Sequence, residues 1–465
     1  MYELYEILFL RQYYQIHQRS YHLSSKQNEK NERYGDDKDE DDEEEEEDGD
    51  DDDFDKIENE LDSISTNIVD VTSAKLIKLN ENSNYPIDLI TFNSNFCATS
   101  DLNNQIKIWN LLSNKCVNVV TQQNKNQIQK DEIIVSIWSI CFIKENILGV
   151  GLSNGQLLAY DHDSKYPICV SQYDSIGSTA GGITHIIKLI NNEDATANKS
   201  FFLISRLNGY LETFLFEFNH PEEQCKLISI KSLQAHLNPI TFISYEYDYI
   251  LTSSAQEQVI KVFKQKNLEY TCSLRQNYLI SALTISKFEP KIALSGYTNG
   301  FICVWSLLDG ACKYKLNDSN NKSIIKLEIT ENLIISLNRM KKLSIWNLLN
   351  GQLLNEFQLK SSFFNTQLTN MFICTDKYLI TTNVDHNERK TFIFVWSLDS
   401  LNEYDKKSKR SKCNNLFALI KKLCINRRLV DEIKLLGVLK PNNSNDDFVL
   451  IHDANNTLYL MELKF

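Results

Sequence analysis

Eleven cysteines and eight histidines are the residues of this 465-residue chain best suited to metal or nucleophilic chemistry, and their spacing supports neither. No Cys-x-x-Cys pair occurs, and no Cys/His grouping has the spacing of a zinc site. Cys97, Cys116, Cys141, Cys169, Cys225, Cys303 and Cys424 stand singly, the pattern of reduced thiols packed as small apolar residues in a cytosolic or nuclear protein. There is no phosphate-loop pattern and no His-Glu-x-x-His pattern. The glycine-rich stretch "SIGSTAGGI" from Ser175 is followed by neither Lys-Ser/Thr nor a helix signal, so it reads as a flexible connection. The chain is expected to be non-catalytic and to use no cofactor or metal.

Charge is distributed very unevenly. Asp36 to Asp55 holds seventeen Asp or Glu against one Lys, a local charge of −16 in a chain whose total is −13, which leaves +3 for everything else. Such a block is a solvated, self-repelling segment and an electrostatic handle for a basic protein, with a salt-sensitive encounter rate. It repels nucleic acid, so direct nucleic-acid binding is not expected. The opposite signal is "KKSKRSK", with Lys406, Lys407, Lys409, Arg410 and Lys412, a pattern of nuclear import or of a patch for an acidic partner. The "NNLFALIKKLCINRRL" that follows carries four more cations and reads as a short surface helix, so residues 400–430 are taken as a basic insertion. The acidic block is also able to fold back on this insertion and mask it.

The elements that must position these residues are legible from repetition. "IKIWNLLSNKCVNVV", "FICVWSLLDGACKYKL" and "LSIWNLLNGQLLNEF" share an apolar run ending in Trp, a polar residue, Leu-Leu, a turn and a second apolar run. Aligning the residue that ends each apolar run gives Trp109, Tyr160, Phe214, Phe263, Trp305, Trp346, Trp396 and Met461. The shortest spacings in that ladder fit a unit of about 40–45 residues, four short strands long. Asn103, Asn154, Asn208, Asn299 and Asn455 lie six residues before their rungs, and Gly follows three of them. Asn-Gly suits a two-residue turn with positive φ, so these residues mark the hairpin into the third strand.

These features resemble WD repeats over about 400 residues, most closely around Trp109, Trp305 and Trp346, while "QAHLNPITFI" at His236 is similar to the family's Gly-His segment. The turn Asp is mostly Asn here, so the family's Asp–His–Ser–Trp hydrogen-bonded set is incomplete in every unit. The resemblance implies an all-β propeller over residues 64–465. Eight blades are expected, or seven if two weak units form one irregular blade. The last unit lacks a fourth strand, and the "AKLIKL" run from Ala74 to Leu79 is expected to supply it, closing the ring and removing an exposed edge. Residues 1–22 read as a short helix with aromatic residues on one side. Residues 23–63 read as disordered, since little in them offsets the entropy of ordering.

The family resemblance also implies partner binding on the face that carries the turns before the third strands. The position two residues before each turn Asn gives Asp101, Leu152, Arg206, Tyr297 and Asp453, with Ala255 and Asn338 in weaker units. Arg and Tyr dominate interaction hot spots. Arg206, Tyr297, Arg339 and Arg389 are therefore the candidate contacts, together with Lys406, Lys407, Lys409, Arg410 and Lys412. No apolar run is long enough to span a membrane. Two functions remain: a scaffold that organises a multi-subunit complex, in the nucleus rather than the cytoplasm and related to chromatin or ribosome assembly, or a substrate receptor of a ubiquitin ligase. The rungs continue as "WNLLS", "WSLLD", "WNLLN" and "WSLDS", not as the Trp-Asp-x-Arg of cullin-adaptor receptors, which favours the scaffold.

Overall fold

The computed structural model describes residues 71–463 apart from intervals in the connections, of which 122–134, 172–180, 190–198, 360–371 and 399–417 are the longest. The N-terminal segments 1–22 and 23–63, the turn residue Arg389 and the run Lys406 to Lys412 lie outside the described residues.

The described chain is all β, with no helix, arranged as repeated four-stranded antiparallel sheets. In the first sheet β3 (Ile87–Phe92), β4 (Phe96–Asp101), β5 (Gln105–Asn110) and β6 (Lys115–Thr121) follow one another in sequence and in space. Among the described residues six further sheets repeat this meander, the seventh sheet with an added strand, and the last holds three consecutive strands; the eight aligned rungs Trp109 to Met461 all lie in third strands. Consecutive strands pair through short turns, so only local contacts are needed to build each unit.

The second strands show no alternation of buried and exposed positions. Phe96–Asp101, Ile147–Leu152, Ile292–Tyr297 and Leu333–Asn338 are buried at every position. A strand covered on both faces has no solvent side to alternate with. Among the described residues seven interfaces between neighbouring sheets hold an apolar cluster of their own. Ile108 meets Leu148 between the first and second sheets, and Leu157 meets Phe202 between the second and third. Val262 meets Trp305 between the fourth and fifth, and Ile345 meets Trp396 between the sixth and seventh. Leu458 and Leu460 of the last sheet pack on Cys97 and Trp109 of the first. At about 1.5–3 kcal/mol per fully buried large side chain, no sheet is stable without its neighbours.

The repeated Leu-Leu has a simple division of labour. The first leucine is buried (Leu111, Leu307, Leu348), while the second is exposed (Leu112, Leu308, Leu349) at the turn. Burial also pushes the Cys97 and Cys303 thiols up to about 12, so both pack as inert apolar groups.

The last sheet takes its outer strand from the N-terminal side. Leu76–Lys78 (β2) pairs antiparallel with Leu458–Leu463, Leu76 opposite Met461 and Lys78 opposite Tyr459. The Leu79 amide extends the ladder to the Leu458 carbonyl at 2.9 Å. Unforeseen in the sequence, Val71–Ser73 (β1) pairs parallel with Ala418–Ile425 and gives the seventh sheet a fifth strand. That partner strand corrects the expectation of a surface helix in "ALIKKLCI". Backbone pairing to Lys390–Ser397 places 418–425 as the seventh sheet's fourth strand, so the insertion is shorter than 400–430. Isolated helical periodicity lost to a ladder of sheet hydrogen bonds.

Candidate interaction surface

The turns between second and third strands and the connections between sheets open at the same end of each up-and-down sheet, and backbone bonds tie them together. Thr298 N bonds Leu279 O at 3.0 Å and Arg339 N bonds Ser323 O at 2.8 Å. The turn is longer than the two-residue loop the sequence suggests. In four sheets three residues connect the strands, and in the second sheet four do. The third of them bonds back to the last residue of the second strand, as Gly209 N does to Arg206 O and Lys341 N to Asn338 O, both at 3.0 Å. That third residue takes positive φ: Asn104, Gly155, Gly209, Gly300 and Lys341. A type I turn followed by one left-handed residue accounts for the Asn-Gly signal without a second positive φ.

This geometry decides where the aligned candidates sit. The position two before the turn Asn ends the second strand, and Asp101, Leu152, Arg206, Tyr297 and Asn338 are all buried there. Asp101 Oδ1 accepts from the amides of Asn103 and Gln105, both at 2.9 Å. Burial pushes its carboxyl above the usual range, with those two bonds opposing. Arg206 donates to the carbonyls of Gly155 and Gly181 and to Glu212 Oε2 at 2.9 Å, with Ser232 donating to the other carboxylate oxygen. It clamps the second sheet to the third and is not presented to a partner in this conformation. Tyr297, 1% exposed, accepts from Ser295 Oγ at 2.8 Å, and Trp305 Nε1 donates to the same oxygen at 2.8 Å. Arg339 is exposed in its turn.

Parts of the expected polar set recur. Trp346 donates to Ser336 at 3.0 Å, and Trp396 to Thr381 at 3.3 Å. Trp109 Nε1 is buried without a partner. In the fourth sheet His236 Nδ1 meets Glu257 Oε2 at 2.8 Å and His236 Nε2 meets Thr252 Oγ1 at 2.9 Å. Burial lowers the His236 pKa below the usual histidine range, with the Glu257 bond opposing. Burial raises Glu257, but the bonds from His236 and from the Asn238 and Leu237 amides outweigh it and hold the carboxyl below its usual range. A neutral imidazole donating to an ionised carboxylate and accepting from the threonine follows. The arrangement has the order of a nucleophile, base and orienting acid, yet Thr252 is 0% exposed and His236 1%. No substrate atom reaches the hydroxyl, so the relay pins a connection to a turn.

Two further groupings have the look of sites. Gly151-Leu152-Ser153-Asn154-Gly155 has Gly-x-Ser-x-Gly spacing in a chain expected to hold no such elbow. Here it joins strand to strand, not strand to helix, and Ser153 Oγ accepts from Ser136 N at 2.9 Å. Its glycines have packing reasons: a Cβ on Gly151 would lie 2.4 Å from Ser139 Oγ, and Gly155 takes φ of 87°. Asp161, His162 and Asp163 offer three ligand atoms within 4.8 Å of one another. His162 is already held, by Asp161 at 2.6 Å and against the Phe96 ring at 4.7 Å.

The residues presented at this end include apolar and cationic ones among polar neighbours such as Asn277 and Thr298. Leu237 (80% exposed), Tyr278 (43%) and Met340 (49%) lie in successive connections and turns of the fourth, fifth and sixth sheets, with Arg339 beside Met340.

No protein-family model matches the chain. Over 146 residues, 31% of this chain, it is 24% identical to the p21-activated protein kinase-interacting protein 1-like of Gallus gallus, and the match spans 39% of that relative's length. The fold is similar to that of the computationally designed Ika8 protein, with a TM-score of 0.55, 14% identity, and coverage of 85% of this chain and all of that one. A chain of the mitotic checkpoint complex aligns over 86% of this chain at 11% identity and a TM-score of 0.44.

Proposed function

We propose that the chain is an eight-bladed WD-repeat propeller, with β2 completing the last blade, that acts as a non-catalytic scaffold in a multi-subunit assembly. Eight repeated sheets, each packed on the next, support the architecture. The observation that carries the function is the division of side chains at the loop end. The polar groups with catalytic geometry are enclosed and consumed by the blades' own bonds, while Leu237, Tyr278, Arg339 and Met340 are presented. Exposed apolar residues bordered by a cation are what a protein partner buries. Arg389 and the cations Lys406, Lys407, Lys409, Arg410 and Lys412 extend this reading to an acidic partner and to nuclear import. The block from Asp36 to Asp55 extends it to a basic one, such as chromatin or ribosome-assembly proteins.

The test is affinity purification of the tagged chain at low and moderate salt, beside the variant Arg339→Glu/Met340→Glu. A defined set of co-purifying subunits that the variant loses supports the reading. Recovery of a cullin or its adaptor replaces the scaffold with a ligase receptor, and an identical set on the variant removes this surface from the proposal.

A further inference from the structure

Between the connection into the fifth sheet and that sheet's own strands lies a cavity of about 120 Å³ lined by Gln276, Tyr278, Tyr297, Phe301, Cys303 and Lys315. Its walls are set by the fold. Tyr297 is fixed from behind through Ser295, which Trp305 also holds. Tyr278, in the connection into the sheet, meets Tyr297 edge-on with centroids 6.4 Å apart and lies 5.9 Å from Phe301. Lys315 comes from the outermost strand of the fifth sheet, and its ammonium donates to Gln276 Oε1 at 2.9 Å, leaving two N–H groups.

Three aromatic faces alone would suit a cation. The ammonium within the lining reverses that preference, and no carboxylate lies among the lining residues to neutralise it. The charge that complements the site is therefore negative. The volume sets the apolar part of the guest: a dry cavity of roughly 150 Å³ accepts a benzene, so this one takes a side chain of valine or leucine size. An extended peptide supplies both groups on neighbouring residues.

We propose that this slot is a docking site for a partner peptide that inserts one aliphatic side chain between Tyr278, Tyr297 and Phe301 and sets an adjacent Asp or Glu carboxylate on Lys315. The proposal names the partner class for the scaffold reading and rests on it. Tyr297 thereby contacts a partner through its ring, from a buried position.

The experiment pans a phage-displayed random peptide library against the full chain, then measures a synthesised, fluorescent consensus peptide by polarisation. The expected consensus is an aliphatic residue beside Asp or Glu. Lys315→Glu should weaken that peptide at least tenfold, and panning on this variant should return an aliphatic residue beside Lys or Arg. Tyr278→Ala should weaken both peptides. Tyr278 and Lys315 are exposed, and unchanged thermal unfolding of the variants checks that the fold is kept. No consensus, a basic consensus on the unaltered chain, or binding indifferent to Lys315→Glu overturns the proposal. Recovery of peptides only after deletion of residues 36–55 also overturns it, since the occupant is then the chain's own acidic segment. A scaffold whose partners use another face passes the co-purification test and fails here, so the two readings fail separately.

Discussion

Replacing His236 by leucine tests whether the fourth sheet's buried relay is structural. The substitution removes the donor to Glu257 and the acceptor for Thr252 while keeping an apolar body of similar size. Glu257 retains the amides of Leu237 and Asn238, at 2.6 and 3.0 Å, and is partly solvated, so it loses one charged hydrogen bond without being stranded. Thr252 Oγ1 is enclosed and loses the partner His236 gave it. One orphaned buried hydroxyl costs about 1–3 kcal/mol, and the lost hydrogen bond to a charged group about 1.5–3 kcal/mol more. The sum, roughly 2.5–6 kcal/mol, should be read at pH 7 as a lower unfolding midpoint in urea. Thr252→Val added to His236→Leu removes the orphan and should recover about 1–2 kcal/mol.

The relay also sets a pH dependence. The folded His236 pKa lies below its unfolded value, so as pH falls below about 6.5 the unfolded chain takes the proton first. The contribution is present above that pH and is lost as pH falls through the folded value, at no more than about 1.4 kcal/mol per pH unit. Glu257, also depressed, adds a loss of the same sign at lower pH. The His236→Leu chain should therefore show a shallower decline between pH 7 and 5 than the unaltered chain. Equal slopes, or strict additivity of the two substitutions, would refute the reasoning.

Two other outcomes are expected. Arg206→Met strands the Glu212 carboxylate, whose side chain is 6% exposed, and should cost about 3–5 kcal/mol in urea denaturation, with much of it restored by Arg206→Met/Glu212→Leu. Deleting residues 71–79 leaves the edge of Leu458–Leu463 unpaired and removes Leu79 from the cluster around Trp109, so the truncated chain should unfold earlier and associate in light scattering.

Much of the architecture is dictated locally and was legible. The eight rungs, the turn signals at Asn103, Asn154, Asn208 and Asn299, and the pairing of the "AKLIKL" run with the last strand all follow from strand periodicity and turn chemistry within one unit. Of the described single cysteines, Cys97 and Cys303 are buried, Cys116 is exposed and the others are half-buried. What the sequence could not assign is which residues face outward at the loop end. Arg206 and Tyr297 read as exposed hot-spot residues because turns are usually solvated. In the structure the neighbouring sheet and the connection cover the ends of the second strands, and Arg206 finds Gly155, Gly181 and Glu212 there.

Residues distant in sequence likewise decide the remaining points. The basic "ALIKKLCI" has helical spacing, but its backbone completes the ladder of Lys390–Ser397 and receives β1, more than 340 residues earlier in the chain. The slot at Tyr278 lies within residues 276–315, but it forms only when the connection carrying Gln276 and Tyr278 folds over the later strands that carry Tyr297, Phe301, Cys303 and Lys315. A repeat encodes its own four strands because their contacts are short-range. Burial and charge compensation arise where one repeat meets another, and those pairings exist only once the sheets have packed.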